Sequence, residues 1–215
     1  MKSKAGTDTE FFRTEKIPKI LLQIAPPVML AQLIQALYNI VDQILIGQGV
    51  GYLGNAATNV VFPYTVAALA VALWIGDGSA ALFSLCMGRG ERDKASRSVA
   101  NGLVLTLLAA CLLTVAGFVF EDGLLQLFGV TEACYDYARE YMTVILIGIP
   151  FYVFTSSVNG MIRADGSPGY AMAATVLGAV MNLILDPIAI FVLDMGVAGA
   201  AAATVIGQAA TAILS

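Results

Sequence analysis

The chain has 215 residues, of which 59% are hydrophobic and only 12% charged, for a formal net charge of −4; its mean hydropathy is +0.83. Soluble domains carry roughly a quarter charged residues, so these residues cannot clothe a water-exposed surface, and soluble classes are excluded. There is no histidine, and the three cysteines (Cys86, Cys111, Cys134) stand at unrelated spacings, which excludes a disulfide framework, a thiolate metal cluster and imidazole chemistry.

In chain order, residues 1–19 contain Lys2, Lys4, Arg13, Lys16 and Lys19 without a signal-peptide cleavage pattern, and read as a cytoplasmic segment ahead of a transmembrane unit over 20–215. From Lys19 to Arg89 the intervening charges are Asp42 and Asp77 alone. At roughly 20 apolar residues per crossing, that run predicts helices at about 20–46 and 57–86, parted by the Gly47 to Gly54 stretch. A polar turn from Gly88 to Lys94 follows. The uncharged runs Val99 to Phe120 and Tyr141 to Ile162 predict helices at about 95–120 and 137–163, joined through Glu121 to Asp136. After the Asp165–Gly169 turn only Asp186 and Asp194 are charged, and two more helices fit, at about 170–193 and 197–215. The runs are continuous and rich in Leu and Ala, unlike the alternating short strands of a β-barrel. The expected fold class is all-α integral membrane, a bundle of six transmembrane helices. The last helix reaches Ser215 without a polar tail, which suggests a chain cut from something longer or a half-length product.

Lysine and arginine mark the cytoplasmic side of short membrane loops. Arg89, Arg92, Lys94 and Arg97 fall between the second and third helices, and Arg163 closes the fourth. Together with the five lysines and arginines at the start they occupy one side, leaving Arg139 alone on the other. Both termini are therefore expected in the cytoplasm, with the chain multi-pass in the cell inner (plasma) membrane.

Charged groups at membrane depth are costly, and they face a cavity, a partner or an ion path. This orientation puts Asp42 and Asp186 near the outer ends of the first and fifth helices, with Thr204 at a similar level on the sixth. Asn182, four residues before Asp186, shares its face. Two carboxylates, an amide and a hydroxyl can converge there. All are hard oxygen donors suited to Na⁺ or a bound proton, and no other metal is implied. The plainer reading is a protonated, hydrogen-bonded aspartate, or simple interhelical bonding for Asn182 and Thr204. Asp77, in Gly76-Asp77-Gly78-Ser79, lies toward the cytoplasmic end, as an inner-cavity residue or a structural polar anchor. Pro26, Pro27, Pro150 and Pro187 mark bends. A hinge is considered at Pro26-Pro27 and at Pro187, the latter beside Asp186. Tyr38, Tyr64, Tyr141 and Tyr152 line a cavity or serve packing. The Gly199, Ala203, Gly207 stripe suits close helix packing.

Several segments resemble the multidrug and toxic compound extrusion (MATE) transporters, in their MepA-like branch. They are Pro26 to Gly47 with Gln32 and Tyr38-Asn-Ile-Val-Asp-Gln-Ile-Leu-Ile-Gly47, Asn55 to Pro63, Gly76 to Ser84 with Gly88-Arg-Gly90, Asn159 to Gly166, and Asn182-Leu-Ile-Leu-Asp-Pro187. The resemblance runs in order along nearly the whole chain. It implies two six-helix lobes around a central cavity, alternating access, and export of organic cations in exchange for Na⁺ or H⁺. It maps the cation site onto Asp42, Asn182, Asp186 and Thr204. It makes this chain the N-terminal lobe, partnered by a C-terminal lobe or by a second copy in parallel orientation, and surrounded by membrane lipids. No cofactor beyond the coupling ion and no nucleic acid is implied.

Two other readings fit the same scaffold less well. A flippase for lipid-linked or polyanionic cargo calls for a cavity lined with Arg or Lys, whereas no basic residue is expected in the membrane core. A non-transporting half-length fragment would need another lobe. An enzyme is least supported, with no nucleophile motif and no phosphate loop.

Overall fold

The computed structural model describes residues 17–215. The helices are α1 (Ile17–Gly49), α2 (Tyr52–Gly88), α3 (Arg92–Val119), the short α4 (Glu121–Leu127), α5 (Tyr135–Ala164), α6 (Pro168–Pro187), a π-helical turn (Ile188–Val192), and α7 (Gly196–Leu214). No strand occurs among the described residues. Six helices are long and apolar enough to cross a membrane: α1 from Val28 onward, α2, α3, α5, α6 with its π turn, and α7. The chain is an all-α, multi-pass integral membrane protein. Most of the expected 1–19 lead-in lies outside the described residues, and α1 already begins at Ile17.

The connections alternate between two ends. The basic end holds the turn at Arg89–Gly90 and the Asp165–Ser167 turn beside Arg163; the acidic end holds Gly51, the stretch from Phe120 to Cys134, and Leu193–Met195. Between them the polarity of a soluble protein is inverted. Leu105, Leu108, Leu112 and Val119 are more than half exposed, which only a hydrocarbon surround accommodates, since every backbone group there is paired inside its own helix.

The interior is built from small residues. Helix α5 is central, packed against α2, α3 and α7, and the core runs through Ala57, Val61, Ala68, Ala72, Ala110, Met142, Leu146, Val153 and Ala201. Lipid offers no hydrophobic gain for bringing helices together, so close van der Waals approach must hold them. At Gly76 a methyl group would sit 2.6 Å from the Ser157 Cα and carbonyl oxygen, so α2 and α5 touch backbone to backbone. At Gly207 it would sit 2.8 Å from the Gly178 carbonyl oxygen, closing α7 on α6. Gly199 and Ala203 are buried on the same helix, so the small-residue stripe does serve packing. Buried hydroxyls lock the α2–α3–α5 unit: Thr106 Oγ1 and Ser157 Oγ are 2.8 Å apart, Ser98 Oγ donates to the Ser79 carbonyl at 3.1 Å, and the Tyr64 hydroxyl donates to the Leu113 carbonyl.

Two features depart from the sequence expectation. Half of the connection after α3 is helical: α4 buries Leu125 completely, while Glu121 accepts from Thr143 Oγ1 (2.7 Å) and Asp122 from the Tyr135 hydroxyl (2.7 Å), stitching it to α5. The fifth crossing also changes character at Pro187. Proline has no N–H to return to Leu183, and beyond it the ladder widens so that the Leu193 N–H donates to the Ile188 carbonyl at 3.0 Å. By contrast α1 stays helical through Pro26 and Pro27, with Pro26 exposed.

Helix α1 leans on α6 rather than on its neighbour in sequence. It meets α2 near the acidic end, where Gln43 Nε2 donates to Thr58 Oγ1 at 3.2 Å. The two helices diverge from that corner, leaving a space walled by α1, α2, α5, α6 and α7.

Candidate functional site

The packing of α1 on α6, and of α6 on α7, brings the four oxygen-bearing residues together. Asp42 is 7% exposed, Asn182 3% and Asp186 1%. The Asp42 and Asp186 carboxyl groups come within hydrogen-bonding reach of each other. Asn182 spans the remaining gap: its Nδ2 donates to Asp186 Oδ1 at 3.2 Å and to Thr204 Oγ1 at 3.1 Å. Three oxygens of this group, Asp42 Oδ1, Asn182 Oδ1 and Asp186 Oδ2, are buried and without a hydrogen-bond partner. Buried polar atoms are normally paired. Three acceptors of one cluster are thus left without a donor, a need that a proton or a hard cation can meet. Among the described residues no group of three or more His, Cys, Asp or Glu side chains is arranged to hold a metal.

Tyr38 lies beside the carboxylates from one side, its hydroxyl accepting from Gln35 Nε2 at 3.3 Å. Tyr141 packs over Ile46, Ile190 and Val197. From this corner a cavity of about 240 Å³ runs toward the basic end. Its walls are polar for a membrane interior: Gln32, Gln35 and Tyr38 of α1, Tyr152, Thr155, Ser156, Asn159 and Arg163 of α5, and Thr175, Asn182, Thr204, Gln208 and Thr211 of α6 and α7. Asn159 keeps one buried oxygen unpartnered while its Nδ2 donates to Thr175 Oγ1 at 3.3 Å. Neither carboxylate is part of the cavity wall. Asn182 stands between the cavity and the acids, lining the one and donating to Asp186, and Thr204 lines the cavity beside it and accepts from Asn182.

The MatE family model matches residues 27–188. The chain belongs to the MatE family. It is similar to the multidrug export protein MepA of Staphylococcus aureus (strain NCTC 8325 / PS 47), with 26% identity over 216 residues, covering 96% of this chain and 46% of that protein. It is also similar to an FAD transporter of Shewanella oneidensis, with 27% identity over 175 residues, covering 81% of this chain and 38% of that protein. Among solved structures, a crystal structure of MATE in the bent conformation superposes with a TM-score of 0.89 at 29% identity, across 100% of this chain and 47% of the other. The chain thus spans less than half the length of the curated relatives it matches.

Within this MatE chain, Asp42, Asn182, Asp186 and Thr204 form one cluster, and Asp77 lies apart from it. Asp77 is not part of the cavity wall; its Oδ1 lies 3.6 Å from a guanidinium nitrogen of Arg163, which is. Of the four tyrosines, Tyr38 and Tyr152 line the cavity, whereas Tyr64 is buried in the helix core. Sequence reading passed over Ser156, Asn159 and Arg163. The signal was available, because Tyr152, Ser156, Asn159 and Arg163 follow a four-three-four spacing that puts them on one helical face. Arg163 served there as a topology marker only, yet it is a basic residue in the cavity wall.

Proposed function

We propose that this chain is the N-terminal lobe of a cation-coupled multidrug antiporter, working by alternating access in the plasma membrane with its termini in the cytoplasm. The observation that carries the reading is the set of three unpartnered buried oxygens around Asp42 and Asp186. Two carboxylates this close and this far from water need a positive partner. Na⁺ would take Asp42, Asn182, Asp186 and Thr204 as oxygen ligands, and a proton would be shared between the two acids. Either cation is cargo exchanged against the drug rather than a resident cofactor.

Asn182 is the link between ion and drug in this scheme. It donates to Asp186 on one side and faces the cavity on the other. A cation claiming its Oδ1 would turn the amide and alter the wall presented to an organic cation. The two ligands then compete without touching. The hinge belongs at Pro187 and its π-helical turn, immediately after Asp186, where the helical ladder already changes register. A C-terminal lobe, or a second copy in parallel orientation, would supply the opposite wall of the central path.

The test is dye efflux in everted vesicles under an imposed Na⁺ or pH gradient. Asp42→Asn and Asp186→Asn should each abolish the gradient dependence; coupling retained in both would end this reading. One observation favours a rival cargo. A relative is an FAD transporter, and Arg163 lines the cavity. Export of a flavin dinucleotide in place of organic cations, in the same vesicles, would decide for the anion.

A further inference from the structure

Among the described residues, Arg163 is the one in the cavity wall with a permanent charge. It sits at the end of α5, so a solute arriving from the basic end passes it before reaching Asn159, Ser156 and the Asn182–Thr204 corner. A bare guanidinium in that position would repel organic cations and draw anions inward, since a charged rim focuses the field in a low-dielectric channel. The guanidinium is not bare. Asp77 of α2 lies 3.6 Å away, and the two side chains are 59% (Asp77) and 31% (Arg163) exposed.

The seat of Asp77 is built into α5. Gly160, one turn before Arg163, has no side chain, and a methyl group there would stand 2.7 Å from Asp77 Oδ1. The carboxylate therefore rests against the α5 backbone. We infer that Asp77 determines the charge specificity of this chain: its carboxylate offsets the Arg163 charge at the cavity entrance, so that organic cations rather than anions reach the Asn182–Thr204 corner. This rests on the proposed cation cargo for its biological meaning, but the electrostatic claim can be measured without any transported substrate.

The measurement uses a single reporter thiol inside the cavity. Ser156→Cys is introduced with Cys111→Ser, which removes the exposed native cysteine and leaves the buried Cys86 and Cys134 in place. The same chain without Ser156→Cys serves as background. The whole chain, in lipid nanodiscs, is treated with a trimethylammonium-ethyl or a sulfonatoethyl methanethiosulfonate. In each case the thiolate attacks the sulfenyl sulfur, forming a mixed disulfide and releasing methanesulfinate, and mass spectrometry follows the rate. The readout is the ratio of cationic to anionic rates.

Asp77→Asn should lower that ratio about tenfold and Arg163→Gln should raise it about tenfold. The combined Asp77→Asn/Arg163→Gln variant should return within about twofold of the parent, and Arg163→Lys should leave the ratio unchanged. Opposite signs for the two single variants are the signature, because a purely structural pair would move the ratio the same way, or not at all, when either member is lost. Same-direction shifts, or ratios within about twofold of the parent in both single variants, overturn the inference. Loss of gradient-driven efflux in a separate assay would bear on the cargo proposal alone.

Discussion

The α2–α3–α5 unit and the α1–α6–α7 corner treat buried polar atoms in opposite ways. In the first, the hydroxyls are spent: Thr106 on Ser157, Ser98 on the Ser79 carbonyl, Tyr64 on the Leu113 carbonyl. In the second, Asp42, Asn182 and Asp186 each keep a buried oxygen with nothing to accept from. The two further unpartnered oxygens among the described residues belong to helices of the first unit but lie at its edge toward the second, since Asn159 of α5 lines the cavity and Asn55 of α2 abuts Gly47 of α1. One region is closed and gains nothing from a visitor. The other is incomplete by itself, and that incompleteness is what a cation site requires.

The largest effect should come from filling that gap chemically. Asp186→Asn removes one carboxylate and adds an amide donor beside the unpartnered oxygens, and on the proposed function gradient-driven efflux should fall about 100-fold, since acidic groups inside a membrane mark ion paths. The same variant should unfold in detergent at a temperature equal to or above that of the parent, because an uncompensated buried acid has gone. A clear drop in thermal midpoint would erase the contrast between the two regions. Next in size is the closed unit. Gly76→Ala pushes a methyl group into the Ser157 backbone and should cost about 1–3 kcal/mol in a detergent unfolding titration, while leaving cation affinity of the folded fraction within about twofold.

Smaller still, Thr106→Val removes one hydroxyl from the Thr106–Ser157 pair. Interhelical hydrogen bonds in membranes average about 0.6 kcal/mol, and a loss of that order is expected by the same titration. A loss near zero would show that Ser157 finds a backbone acceptor unaided. Smallest of all, Arg139→Gln breaks the exposed ion pair with Asp122, 3.8 Å apart. Its thermal midpoint should stay within about 1 °C, since surface pairs contribute little.

Much of this was legible in the chain itself. Six crossings follow from hydropathy and length, and the convergence of Asp42, Asn182, Asp186 and Thr204 followed from helix direction and depth, because charges are so rare in these spans that their heights carry information. The rest depended on lateral packing, which one sequence does not encode. Asp77 and Arg163 sit on helices of unequal overhang, so counting from helix ends does not align them. Helix α4 was hidden within a connection whose acidic residues mask Leu125 and its burial. The widened ladder after Pro187 reads in sequence as an ordinary bend, since proline announces a missing donor and not where the chain recovers its pairing.

Helix α2 has 37 residues, a rod of about 55 Å at 1.5 Å per residue, set in a hydrocarbon layer about 30 Å thick. It therefore leans steeply, stands proud of the bilayer, or does both. For a rod of that length each degree of change in lean carries one tip sideways by about 1 Å relative to the other. Gly76 lies against the Ser157 backbone and Asp77 against Gly160, so α5 is carried along with any change in the lean of α2. Bilayer thickness, which sets the lean of an over-long span, thereby tips the Asp77–Arg163 pair as a unit rather than parting it.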